Sequence, residues 1–189
     1  MDIKTMSEIK PSIMTPTNGY YPIFTSYYAV KKEIKEPIHP ISISIVCPDT
    51  TMEQILDVAP NNYALNYYKQ EKYKNPEKAE EIFKDMYRRK ISELMQSGRL
   101  KEIAKKLIEY AKEKPVVLFC YENPNDFCHR HLLAKTLNKF YSLGITELIT
   151  PGMAQRELKK AQKEIWNSYK SPTTKDNSKP QNSAQMKLF

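Results

Sequence analysis

The segment CYENPNDFCHRHLLA, residues 120–134, brings thiol, carboxylate, imidazole and guanidinium groups into one short stretch. Cys120 and Glu122 close and follow the apolar run VVLFC, a composition suited to a strand covered on both faces. Cys128, His129 and Arg130 open a second stretch, in which Leu133, Leu137, Phe140 and Tyr141 recur at helical spacing. The five side chains are therefore expected at a strand end and a helix start. The first turn of a helix carries unpaired amide donors and the positive end of the dipole, which favour anions. There Cys128 is expected to have a lowered pKa and thiolate character. Arg130 would offer a planar fork to phosphate or carboxylate. His129 would shuttle a proton near neutral pH. Glu122 would act as base or orient His129 or Arg130, and Asn125 or Asp126 would cap the helix.

Three arrangements fit these residues. One is a catalytic or anion-binding pocket built from Cys120, Glu122, Cys128, His129 and Arg130, with no cofactor. A second is a zinc site, because Cys120, Cys128, His129 and His131 are four possible ligands. Against it, C-x7-C-H-x-H is not a standard spacing, and residues 129 and 131 diverge on a helix. The third is purely structural: small core cysteines, with Glu122 and Arg130 paired to close the loop.

The strand-borne CYE followed by CHRHLLAKTL resembles the bacterial and phage "domain of unknown function 488" family, marked by C-[FY]-E and then C-H-R and L-A. PIFTSYYA is similar to that family's strand ending in a Tyr-containing turn, and ISISIVCP to its Ile/Ser-rich second strand. The likeness runs over residues 20–150 and is sharpest over 116–134. Cys47-Pro48 stands where the family would have Thr-Pro or a similar pair. The resemblance implies an α/β domain whose defining residues are Cys120, Glu122, Cys128, His129 and Arg130. It implies no reaction, so the chemistry rests on the site.

The elements that must position these residues can be read from pattern. YYPIFTSYYAV (20–30) is expected as a strand, and ISISIVCP (41–48) as another, with Ile41, Ile43 and Ile45 on one face. TMEQILDVAP predicts a short helix capped by Thr50 or Thr51. Residues 59–75, polar and rich in tyrosine, predict an irregular loop or loose helix over the site. NPEKAEEIFKDMYRRKISELMQSG predicts a helix capped by Asn75, with Pro76 at its first position and a stop at Gly98. RLKEIAKKLIEYAKEK predicts another, buried through Leu100, Ile103, Ala104, Leu107, Ile108 and Ala111. ITELIT reads as a last strand and PGMAQRELKKAQKEIWNSYK as a last helix capped by Thr150. The sum is an α/β fold, a single domain with a short, mostly parallel sheet sandwiched between helices. Ligands of such sheets bind past the carboxyl ends of the strands, where Cys120, Glu122 and Cys47 are expected.

The chain has 189 residues, three cysteines and a formal net charge of +8. No apolar run is long enough to span a bilayer, and the first residues lack a signal-peptide core, so a cytoplasmic protein with reduced thiols is expected. The positive charge favours polyanion partners. Residues 1–19 read as a loose leader, 20–170 as the α/β domain, and 171–184 as a flexible linker. The closing residues QMKLF resemble the clamp-binding peptide Gln-Leu-(Ser/Asp)-Leu-Phe of bacterial replication and repair proteins. The resemblance implies docking on the DNA sliding clamp through Gln185, Met186, Leu188 and Phe189, with Lys187 in place of a small or acidic residue.

Together these features predict a DNA-associated protein: an enzyme acting on DNA, a nucleotide or a modified base, tethered by its tail. A non-catalytic DNA-binding or adaptor module is the alternative, and a zinc-stabilised fold a further one.

Overall fold

The computed structural model describes residue 16, residues 19–123 and residues 126–170. The expected linker (171–184) and clamp-binding peptide (185–189), and all of the leader but Pro16 and Gly19, lie outside the described residues. The described residues divide into two compact units between Thr150 and Pro151. The first holds all five strands: β1 (Ile23–Tyr27), β2 (His39–Ser42), β3 (Glu53–Gln54), β4 (Val116–Cys120) and β5 (Thr146–Glu147). It also holds α1 (Asn62–Glu71), α2 (Pro76–Gln96), α3 (Arg99–Ala111) and α4 (His129–Tyr141). The second holds one helix, α5 (Pro151–Lys170).

The strands form one sheet in the order β3-β2-β4-β1-β5, and every pairing is parallel. This is the expected α/β class. All five residues of VVLFC are buried in the middle of the sheet, as a strand covered on both faces requires. Val116, Leu118 and Cys120 point into a large core with Phe83, Tyr87, Ile103, Leu107, Leu133 and Leu137 from α2, α3 and α4. Val117 and Phe119 point the other way, into a smaller cluster with Phe24, Met52 and Leu148. Tyr28, in the 3-10 helix Tyr28–Glu33, and Ile34 cover that cluster. Each fully buried large aliphatic side chain contributes about 1.5–3 kcal/mol.

The helices follow their sequence signals. Asn75 Oδ1 accepts from the Lys78 amide at 3.2 Å, Pro76 occupies the first position, and α2 buries Phe83, Tyr87 and Ile91 along one stripe. Gly98 separates α2 from α3 at φ 77°, a left-handed conformation that glycine reaches without a Cβ penalty.

Several local expectations fail for identifiable reasons. β1 begins only at Ile23 and stops at Tyr27, and residues 28–30 wind into the 3-10 helix. β2 ends at Ser42 rather than running to Pro48. The Gln54 side-chain amide takes the carbonyls of Ser44 (2.6 Å) and Ile45 (3.1 Å), so these no longer serve a ladder. TMEQILDVAP is not a helix. Asp49 Oδ1 accepts from the backbone amide and hydroxyl of Thr51 in a tight turn, and Glu53–Gln54 then pair with β2. Leu56–Val58 form only a 3-10 turn. Residues 62–71 form a regular helix, because Asn61 Oδ1 caps the Ala64 amide at 2.6 Å.

Candidate functional site

The sheet has a switch point between β2 and β4. The chain leaves β2 towards β3 on one side and leaves β4, through α4, towards β5 on the other side. The carboxyl ends of these two neighbours therefore part, which makes the crevice where open parallel sheets bind ligands. Cys120 is the last residue of β4, and Ile43 is the first after β2. Cys128 occupies the N-cap position of α4, and His129 and Arg130 start the helix.

Four of the five expected side chains meet there. Glu122 Oε2 lies 3.3 Å from Cys120 Sγ and 3.3 Å from Cys128 Sγ. His129 Nδ1 lies 3.5 Å from Cys120 Sγ and 3.8 Å from Cys128 Sγ. The two sulfurs and the imidazole lie within 4.8 Å of one another. On the far side of the ring, His129 Nε2 is 2.8 Å from the Ile43 carbonyl. A carbonyl only accepts, so Nε2 carries a proton and donates it. Cys120, Cys128 and His129 are buried, while Glu122 is partly exposed.

Electrostatics separates the two thiols. A hydrogen bond from Cys128 stabilises the Cys120 sulfur as thiolate and pulls its pKa well below the usual thiol value, with His129 assisting against burial. Burial, followed by the neighbouring Cys120 sulfur, pushes Cys128 well up. Thiolate character therefore belongs to Cys120, not to Cys128 as its helix-start position suggested. Cys128 is buried beside the electron-rich Cys120 sulfur, and both effects disfavour its thiolate. Burial also raises the Glu122 carboxyl. For His129, burial opposes the charge, but bonding to Cys120 outweighs it and the pKa is raised.

Arg130 does not serve as an anion fork. It is 0% exposed. Its Nη1 donates to the Glu122 carbonyl at 2.6 Å, and its Nε donates to Glu147 Oε2 at 3.2 Å. Nη2 and Glu147 Oε1 face each other at 3.2 Å as charges, off the angle of a hydrogen bond. The buried ion pair expected between Glu122 and Arg130 is thus made with Glu147 instead. His131 turns to the same carboxylate, 3.7 Å from Oε2, and away from the two thiols. The expected four-ligand set ending in His131 is not assembled. Nor does Asp126 cap α4: Cys128 holds the N-cap position without a side-chain bond, and Asp126 Oδ2 accepts from Asn123.

A hollow of about 20 Å3 reaches the cluster, bounded by Glu122, Cys128 and His129 together with Leu65, Tyr68, Phe83 and Phe127. That is room for a single water. The aromatic rings pack at centroid separations of 5.3–5.6 Å, and Lys84 Nζ sits 5.0 Å from the Phe127 centroid. Cys47 stays apart from the cluster, with its Sγ 3.0 Å from the Asp49 carbonyl.

Residues 35–140 match the family model DUF488-N3a, described as the active DUF488-N3 subclade. The chain belongs to the DUF488 family. The matched span covers β2 through most of α4, so all five expected site residues lie inside the DUF488 match, while Glu147 and β1 lie outside it. No curated protein and no solved structure matches this DUF488 chain.

Sequence reasoning missed Glu147, Tyr87 and the Ile43 carbonyl. Glu147 did leave a signal, as one carboxylate inside the otherwise uncharged ITELIT. Tyr87 sits with its ring 5.5 Å from that of His129, and its hydroxyl donates to the Val58 carbonyl at 2.8 Å. The Ile43 carbonyl had no signal, because backbone acceptors look alike in a sequence.

Among the described residues, no helix is long and apolar enough to cross a membrane.

Proposed function

We propose that this chain is an enzyme acting on DNA, a nucleotide or a modified base, with Cys120, Glu122, Cys128 and His129 as its reactive centre. The observation that carries this reading is the convergence of both sulfurs on one carboxylate oxygen, 3.3 Å each, at the switch point of the sheet. Glu122 is the member of the cluster that is both partly exposed and part of the hollow, so it moves the proton. The sulfurs and the imidazole supply an electron-rich centre beneath it. The reaction class that fits is hydrolysis or group transfer at a base or nucleotide.

Two further features support a nucleic-acid substrate, and a third supports catalysis. The net charge of +8 draws polyanions. Tyr68 and Phe127, both partly exposed, put aromatic surface at the mouth of the hollow, where a base outside it can pack. The family description of an active subclade agrees with catalysis. Gln185, Met186, Leu188 and Phe189 would dock on the DNA sliding clamp, with Leu and Phe as anchors worth about 1.5–3 kcal/mol each when buried. Such a tether raises the local concentration at replication and repair sites without any new contact.

The test is to incubate the full chain with nucleotides and with single- and double-stranded oligonucleotides carrying plain and modified bases, and to read products by mass spectrometry. Product is expected from the wild type, and none from Cys120→Ala or Glu122→Gln at unchanged secondary structure. No product from any substrate, or equal product from the variants, overturns the reading. Surface plasmon resonance on an immobilised bacterial clamp tests the tether. Leu188→Ala with Phe189→Ala should abolish binding, and a silent wild type removes the tether from the proposal.

A further inference from the structure

We infer that Cys120, Cys128 and His129, with Glu122 at the fourth position, form a site for one zinc ion. This deepens the reading above by giving the same site its metal. Zinc bonds of about 2.3 Å to sulfur and about 2.0–2.2 Å to nitrogen and oxygen, set tetrahedrally, place ligand atoms roughly 3.5–3.8 Å apart. The separations here are 3.5 and 3.8 Å between Nδ1 and the two sulfurs, and 3.3 Å between Oε2 and each sulfur. The atoms of Cys120, Cys128 and His129 lie within 4.8 Å of one another, and the Glu122 carboxylate, close to both sulfurs but outside that group, has to turn towards His129 to complete the tetrahedron.

The donor set favours a cation. Nε2 carries the ring proton because it donates to the Ile43 carbonyl. In the neutral ring Nδ1 is then a lone pair aimed at two sulfurs. Both sulfurs sit equally close to Glu122 Oε2, so electron-rich atoms converge on one buried point. Burying such a set without full partners is costly. A divalent cation satisfies all four atoms together, and soft thiolates with imidazole select zinc.

The surroundings are those a metal site needs. Ligating histidines donate their second ring N–H to a backbone carbonyl or a carboxylate, which fixes tautomer and orientation, and Ile43 does this for His129. Arg130, locked by Glu147, donates to the carbonyl of Glu122 itself and fixes the backbone of the fourth ligand. Cys120 ends the central strand and Cys128-His129 start a helix, so the ligands stand on rigid elements. Glu122 is the ligand that reaches the hollow. A zinc ion held by Cys120, Cys128 and His129 would acidify a water reaching it through the hollow, and Glu122 would stand beside that water to accept its proton.

The test measures metal in the full chain, purified and also reconstituted from apo-protein with cobalt(II). One zinc per chain is expected, together with the intense visible bands and sulfur charge-transfer absorption of tetrahedral thiolate cobalt. Cys128→Ser and His129→Asn should lose both signals, while Cys47→Ser and His131→Asn keep them. Glu122→Gln, which keeps shape and volume, should still bind cobalt with shifted bands. That variant keeps the inference testable if the others fail to fold. Wild-type protein without zinc and without cobalt bands overturns the inference, as does metal retained by Cys128→Ser or lost from Cys47→Ser. Turnover by metal-free wild type overturns the zinc site and leaves the enzyme standing. Stoichiometric zinc without any turnover does the reverse.

Discussion

Arg130 and Glu147 form an ion pair that ties the first turn of α4 to β5, through Nε–Oε2 and Nη2–Oε1 separations of 3.2 Å each. Thr25 on β1 adds its hydroxyl to Oε2 at 2.5 Å. One carboxylate therefore couples a central strand, an edge strand and the helix that carries Cys128 and His129. Removing a buried charge strands its partner, which costs more than the pair itself contributes. Arg130→Ala should lower unfolding free energy by about 3 kcal/mol. Urea melts followed by far-UV circular dichroism check it, and a loss under about 1 kcal/mol would show the pair to be dispensable.

The same pair sets an acid limit. Burial alone would raise the Glu147 carboxyl, but bonds from His131 and Thr25 and the Arg130 charge outweigh it and the pKa is lowered. A carboxyl lowered on folding contributes stability above its unfolded pKa, and this stability is lost as pH falls through the folded value. Between neutral pH and the acid range, wild type should thus lose more stability than Glu147→Gln. Parallel denaturant midpoints across that range decide it, and identical pH slopes would refute the assignment.

Tyr87 is a buried phenol with one job for its hydroxyl and another for its ring. Burial pushes its pKa well up, so it stays neutral and donates to the Val58 carbonyl. Tyr87→Phe should cost about 1–2 kcal/mol, the worth of a buried carbonyl left without its donor. The ring against His129 is retained, so metal content and turnover should not change. Tyr87→Ala removes the wall as well and should cost about 3–5 kcal/mol. Equal stability of the Phe variant and wild type would show that water replaces the hydroxyl.

How far the sequence reached depends on what each residue answers to. VVLFC reads as a buried strand because its burial is symmetric, and α2 and α3 are legible because cap, proline, stripe and glycine agree. The strand expected at 41–48 overruns β2 because ISISI keeps alternating past the point where Gln54 captures its carbonyls. The helix expected at 51–60 lost to an Asp49 turn and to pairing with β2, since tertiary contacts override a short local pattern. At the site, spacing marks Cys120, Glu122, Cys128 and His129 but points to Cys128 as the thiolate, whereas burial raises Cys128 and its neighbours lower Cys120. Which thiol ionises depends on neighbours brought in from β2 and across the loop, and no local motif encodes that. Arg130 resembles an anion fork in the sequence for the same reason, because its partner Glu147 lies on β5, outside its own helix.

The aromatic wall makes a prediction about substrate binding. Phe127 packs against Tyr68 and Phe83, with Lys84 above its face. Phe127 is only partly buried, so Phe127→Ala should cost no more than about 2 kcal/mol of stability. If a base stacks there, KM should rise roughly tenfold, in line with about 1–3 kcal/mol per stacked base, while kcat changes little. A fall in kcat alone would place the ring in the chemistry instead of in binding.

DNA association is expected to be weaker than the net charge suggests, because much of the α3 charge is matched internally. Arg99 bonds Asp57 and Glu102, Lys106 pairs with Glu53 at 2.5 Å, and Lys112 pairs with Glu109. Lys101 and Lys105 remain exposed on the same helix. Each phosphate contact removed should lower the slope of log affinity against log salt by about 0.9. Lys101→Gln with Lys105→Gln should therefore flatten the slope by about 2 for duplex DNA if this face binds. Fluorescence anisotropy over a salt series measures it. An unchanged slope moves the DNA-binding surface away from α3, whatever the total charge of the chain.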